Sequence, residues 1–205
     1  DVTVENFTKL NLKGDFKVFF FFLYQNLVSV ETYPNVYKNL DIEVENGILT
    51  IEENRKTDQV DFYNITIFGK NDLNEVSLSD KVEMNVSGQV KTPEFSLHLK
   101  GNSKFMGAVI APKSKIEMAE KSNANILGET KNLNLKLADS ASIMAPYFYV
   151  ENLEILSKNG ASAGLNIDQE MKGTLENTSK LIFYGEPLNK LTKKDKASVE
   201  NRKLK

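Results

Sequence analysis

The sequence predicts an all-β fold, a β-solenoid with rungs of about 19 residues. Two apolar columns with one shared period predict it, together with the alternating runs between them. The first column falls at Phe105, Ile126, Ile143, Ala163 and Leu181, with steps of 21, 17, 20 and 18 and a mean of 19. The second falls at Leu99, Met118, Leu137, Ile155 and Leu175, with steps of 19, 19, 18 and 20. Between them Leu133, Leu135 and Leu137 alternate with polar residues, as do Leu153 and Ile155. Alternation is the strand period, one side chain inward and the next outward. One such unit is too small to bury its own apolar face, so copies must stack.

A small residue precedes each member of the first column, at Ser103, Ala124, Ala141, Ala161 and Ser179. It suits an inward corner where the coil turns. The Asn, Gly or Ser just before it suits unusual backbone angles. A leucine-rich repeat is the rival at this length, but the L-x-x-L-x-L-x-x-N pattern and its helical half are missing.

Ahead of the repeat, the elements read as strands and turns. Phe7, Leu10 and Leu12 lead to a turn at Gly14-Asp15, and Phe16 and Val18 lead into four consecutive Phe residues, Phe19 to Phe22. Such a run suits a strand buried on both faces. Leu27 to Glu31 continues the alternation, Tyr33-Pro34-Asn35 is a turn, and Asn46-Gly47 between Asp41–Glu45 and Ile48–Ile51 is a hairpin signal. Glu52 to Gln59 reads as a polar loop and Val60 to Phe68 as a strand. Val76, Leu78 and Asp80-Lys81-Val82 read as an early, degenerate copy of the repeat.

From Pro187 the pattern stops. The expected organisation is one β-helix domain over residues 1–187 and a basic polar tail or cap over 188–205. The tail carries seven basic and two acidic residues, and Leu188 and Leu191 give it a faint helical hint.

Composition narrows the function. Net charge is −2, so no basic field argues for nucleic acid. The longest strongly apolar run, Val18 to Tyr24, is too short to cross a membrane, which takes about 20 residues. There is no Cys and a single His, His98, so no ordinary zinc site can form and no metal or cofactor is expected. His98, between Leu97 and Leu99, falls on the outward side of its strand as a surface residue. No G-x-S-x-G elbow, P-loop or calcium-loop motif occurs.

Paired-carboxylate glycoside hydrolysis is the enzyme reading to weigh. Glu117, Asp139 and Glu154 are the candidates on adjacent rungs, but they fall outward as solvated charges. Both arginines, Arg55 and Arg202, lie outside the repeat. No catalytic residue is therefore assigned. Tyr147 and Tyr149 are the candidate binding residues: with Phe148 and Val150 inward, they form an exposed aromatic pair that can stack on a sugar or anchor a protein.

The order Leu10-Asn11-Leu12-Lys13-Gly14-Asp15-Phe16-Lys17-Val18, then Asn39-Leu40, then Glu45-Asn46-Gly47-Ile48-Leu49-Thr50-Ile51, then a Ser/Ala/Asn-rich repeat, resembles a bacterial family. It is the "putative auto-transporter adhesin, head GIN domain" family, a domain of unknown function common in Bacteroidetes. The resemblance runs from about Phe7 to Gly185. It implies a single-stranded right-handed parallel β-helix. It also implies an exported protein, periplasmic, cell-surface or secreted, whose leader is absent from this chain. The function expected is a non-enzymatic, adhesin-like or cell-envelope module, either binding, with a glycan or a cell-surface protein as partner, or structural, packing in an assembly. A pectin-lyase-like, polysaccharide-processing β-helix is the alternative. The four-Phe run, and Lys or Glu where the family's repeats often carry Gly, depart from the pattern.

Overall fold

The rungs turn on a row of residues with positive φ: Asp80, Gly101, Glu120, Asp139, Asn159, Asn177 and Asp195. Their steps run from 18 to 21 residues, the predicted period. Asp and Asn enter this region of backbone space more readily than other side chains. Two residues beyond Gly101, Glu120, Asp139, Asn159 and Asn177 stand buried small residues, Ser103, Ser122, Ala141, Ala161 and Ser179. The Ser103 and Ser122 hydroxyls donate to the Lys100 and Ala119 carbonyls, each at 2.7 Å. Small side chains are needed there because the chain reverses direction against the core.

This is a computed structural model, and it describes residues 1–56 and 60–204. Thr57 to Gln59, the end of the expected polar loop, lie outside the described residues. The start of that loop is instead strand, which continues to Glu53.

All described strands join one 17-stranded sheet that divides into two ladders. Four long strands belong to both: β11 (Lys104–Met118), β12 (Asn123–Leu137), β13 (Ser142–Ser157) and β14 (Ser162–Leu175). Their first halves stack in parallel on β9 (Glu83–Lys91), and their second halves on β10 (Glu94–Leu99). From β8 (Glu75–Asp80) onward the rungs follow chain order, so the early copy at Val76 and Leu78 is a full member, in register with Leu97 and Leu99.

The register corrects two positions of the predicted columns. Phe105 aligns with Ala124, then Ile143, Ala163 and Leu181. Leu137 aligns with Ser157, then Leu175. Ile126 and Ile155 each lie two residues away on the same inward side. In a strand that displacement keeps the burial and hides the error. Likewise Ser122, not Ala124, holds the small corner position.

The first rungs do not follow chain order. β2 (Lys9–Gly14) lies between β6 (Ile48–Glu53) and β8, and β3 (Lys17–Phe22) lies between β7 (Asn64–Gly69) and β9. The outer end is covered antiparallel by β4 (Leu27–Glu31) on β7 and β5 (Leu40–Glu45) on β6, with β1 (Val2–Thr3) on β4. The β5–β6 hairpin turns at Asn46 and Gly47, φ 51° and 75°, as the Asn-Gly signal requires. A one-turn helix, α1 (Pro34–Tyr37), occupies the expected turn at Tyr33–Asn35.

The Phe run is only half buried, against expectation. Phe20 is fully buried and packs edge-on against Phe7 and Phe22, while Phe19 and Phe21 point outward. A two-ladder solenoid has one inward and one outward face per strand, so alternate residues must meet the surface. At the other end β15 (Lys180–Tyr184) is followed by β16 (Leu188–Lys193) and β17 (Ser198–Asn201), which pair with β14 and β15 as a further rung. Strand pairing thus replaces the helical hint at Leu188 and Leu191. One apolar core runs from Phe7 to Phe183.

Candidate functional site

The two ladders present different chemistry outward. On the ladder built from β10 and the second halves of β11 to β14, outward rows are laced with ion pairs. They include Lys113 with Glu94 at 3.1 Å, Lys190 with Glu170 at 2.6 Å and Lys172 with Glu154 at 3.7 Å. Glu117 is the best connected, with Lys115 at 3.2 Å, His98 Nδ1 at 3.5 Å and Lys136 at 3.6 Å. Burial alone would push its carboxyl up, but these three neighbours hold it below the ordinary carboxylate value. The Lys190 hydrogen bond likewise lowers Glu170.

The acids weighed for hydrolysis are thus not gathered around one cleft. Glu117 and Glu154 stand in neighbouring outward rows, each held by lysine. Asp139 occupies a corner, where it accepts from the Glu120 N–H at 3.0 Å and from Asn159 Nδ2 at 3.2 Å. His98 sits half-buried on the outward side of β10, as its flanking leucines imply. Among the described residues no group of three or more His, Cys, Asp or Glu could hold a metal ion, and no helix is long and apolar enough to cross a membrane.

The other ladder carries a strip without charge. One outward row registers Thr66, Phe19, Asn85, Met106 and Asn125 on successive strands, and Met144, Gly164 and Ile182 continue it. The next row brings Phe68, Phe21 and Ser87 into register; past a register shift, Gln89, Ala108 and Leu127 continue it. Phe21 and Phe68 stack with ring centroids 5.8 Å apart. Met106 is 55 % exposed and Leu127 49 %. Charge appears at the margins, for example the Lys104–Glu83 pair at 2.6 Å.

Tyr147 and Tyr149 stand on β13 beside this strip, 51 % and 53 % exposed, with Phe148 and Val150 buried between and after them. They point outward as the alternation implies. A shift of register between Ala145 and Tyr149 turns this part of β13 against its neighbour β14, and Tyr149 comes level with Glu129 and Asn166. Sequence reasoning missed Met106, Leu127, Met144, Phe19 and Phe21 as surface residues. The signal was present, since each lies next to an inward member of its strand.

The family model described as "Putative auto-transporter adhesin, head GIN domain" matches residues 6–187. The chain belongs to this family. Three solved structures share the head GIN fold. One, called a "putative adhesin", from Bacteroides fragilis NCTC 9343, has a TM-score of 0.88 at 14 % identity, over 98 % of this chain and 94 % of its own. A "putative adhesin" from Parabacteroides distasonis ATCC 8503 has a TM-score of 0.73 at 14 % identity over the same shares. A "putative lipid binding protein" from the same strain has 0.71 at 17 % identity, over 100 % of this chain and 95 % of its own. No curated protein matches the chain. At these identities the likeness concerns the head GIN fold.

Proposed function

We propose that this head GIN domain is a non-enzymatic, adhesin-like binding module that works outside the cytoplasm, in the periplasm, at the cell surface or secreted. The observation that carries the reading is the charge-free strip of Phe19, Phe21, Met106, Leu127 and Met144, flanked by Tyr147 and Tyr149. Large apolar and aromatic side chains kept outward across successive rungs mark an interaction surface rather than scattered exposure. Successive parallel rungs extend the strip across the ladder, which suits an extended partner such as a glycan chain or a cell-surface protein. The family name supports the adhesin-like role and the extracytoplasmic setting.

A glycan array and a polysaccharide screen on the purified protein test it, with release of reducing or unsaturated products followed in the same wells. Binding without turnover is expected. Replacing Tyr147 and Tyr149 together by Ala weakens that binding about tenfold, roughly 1.4 kcal/mol, and Leu127→Lys weakens it as well. Product release overturns the reading in favour of a polysaccharide-processing enzyme.

A further inference from the structure

The opposite ladder carries a groove of about 560 Å³ at its edge, next to the positive-φ corners. We propose that it is a second site, independent of the charge-free strip, and that it takes an acidic polysaccharide between Lys100 and Lys158.

The row along the groove reads Lys100, Ala119, Ala138, Lys158, one residue per rung. Backbone hydrogen bonds set that alignment: Ala119 N to Leu99 O at 3.1 Å, Ala138 N to Met118 O at 3.0 Å and Lys158 N to Leu137 O at 3.1 Å. Two consecutive alanines leave a notch with a lysine at either end. Adjacent parallel strands lie about 4.8 Å apart, so three steps place the two lysine backbones about 14 Å apart. Leu156, 52 % exposed, forms an apolar wall.

The acids around the notch have direct partners other than these two lysines. Glu117 is engaged by Lys115, Lys136 and His98, and Glu176 pairs with Lys194 at 3.1 Å. The adjoining corner acids are turned to backbone: Glu120 accepts from the Gly101 N–H and Asp139 from the Glu120 N–H. Among the described residues, Lys100 and Lys158 make no ion pair. Two ammonium groups that no carboxylate engages directly thus bracket a small-floored trough, with Glu176, paired to Lys194, next after Lys158 in the row.

The floor decides what lies in it. β11, β12 and β13 are each hydrogen-bonded on both sides, so no strand edge is free to pair with a peptide backbone. A linear sugar chain needs no such edge. Its carboxylates meet the two ammonium groups, and its C–H faces lie against Ala119, Ala138 and Leu156.

Calorimetric titration of the whole chain with polygalacturonate, and with its fully methyl-esterified form, removes charge from the ligand and leaves the backbone in place. Saturable binding of the acid and at least tenfold weaker binding of the ester are expected. The Lys100→Ala/Lys158→Ala double variant should lose at least tenfold, and the Lys100→Arg/Lys158→Arg variant should retain binding. Circular dichroism confirms that each variant is folded. The proposal fails if polygalacturonate does not bind, if the ester binds equally, or if the double alanine variant binds as the parent does. Equal binding of polyglutamate of matching length also overturns it, since charge alone would then suffice.

Discussion

The carboxylate of Asp139 accepts a hydrogen bond at 3.0 Å from the backbone N–H of Glu120 on the preceding rung, and both residues have positive φ, 59° and 60°. The relation recurs along the corner. Glu120 accepts from Gly101, Asp195 accepts from Asn177 at 3.2 Å, and Asn177 Nδ2 donates to Asn159 Oδ1 at 2.9 Å. The corner side chains therefore do two things: they tolerate the left-handed backbone, and they tie each turn to its neighbour.

Replacing Asp139 separates these roles. Asp139→Ala keeps a β-carbon in the left-handed region and loses the acceptor, so it should cost about 1–2 kcal/mol. Asp139→Asn keeps one carbonyl acceptor and should cost less. Asp139→Gly loses the bond but relieves the backbone, and should also cost less than Ala. Urea unfolding of the three variants gives the order. An alanine variant as stable as the asparagine one would show that the corner bonds contribute nothing.

The same corner shows what sequence could reveal. The period was legible because it is written in inward apolar residues, which recur on every rung. Its exact register was not, because Ile126 and Ile155 face inward as well as Ala124 and Ser157 do, and alternation cannot separate positions two apart. The placement of β2 between β6 and β8 was invisible for a related reason: Leu10 and Leu12 fit equally against Leu49 and Ile51 or against Val76 and Leu78. Tyr147 and Tyr149 could be placed outward from Phe148 and Val150 alone. The charge-free strip required the register, since it is a property of rows across strands and not of any one strand.

Gly128 and Gly173 leave no room for a side chain against the backbone of the adjacent rung. Their φ values are 109° and 122°, and an added β-carbon would lie 2.1 Å from Val109 O and 1.9 Å from Ile155 O. Both obstacles are backbone and cannot swing aside. Gly128→Ala should cost about 3 kcal/mol or more. Gly160→Ala is the control: its φ is ordinary and the nearest atom, Asp139 O, is 3.4 Å away. It should change stability by no more than about 0.5 kcal/mol. Equal thermal midpoints for the two variants would refute the close-approach account.

Ser157 is a weak point in the core. It stands between Leu137 and Leu175 in the inward row, 2 % exposed, and among the described residues its hydroxyl has no partner. A buried hydroxyl without a hydrogen bond carries its desolvation cost unreturned. Ser157→Ala removes the oxygen and little volume, so it should stabilise the fold by about 1 kcal/mol. A destabilised variant in chemical denaturation would contradict this and point to a partner for the hydroxyl.

Stability should fall on acidification, and Glu117 should account for part of the loss. Its folded pKa lies below the unfolded value of 4.5, as do those of Glu170 and Glu200, the latter held down by Arg202. A carboxylate with a lowered folded pKa adds stability that is fully present above the unfolded pKa. That contribution disappears as pH falls through the folded pKa, because the unfolded chain takes up protons first. The curve of stability against pH should therefore be level with respect to these groups above about pH 5.5 and fall below about pH 4.5. Glu117→Gln deletes the titrating group that Lys115, His98 and Lys136 surround, so its acid limb should be shallower than the parent's. Superimposable acid limbs in a denaturation series from pH 3 to 7 would mean that the Glu117 cluster does not couple to folding.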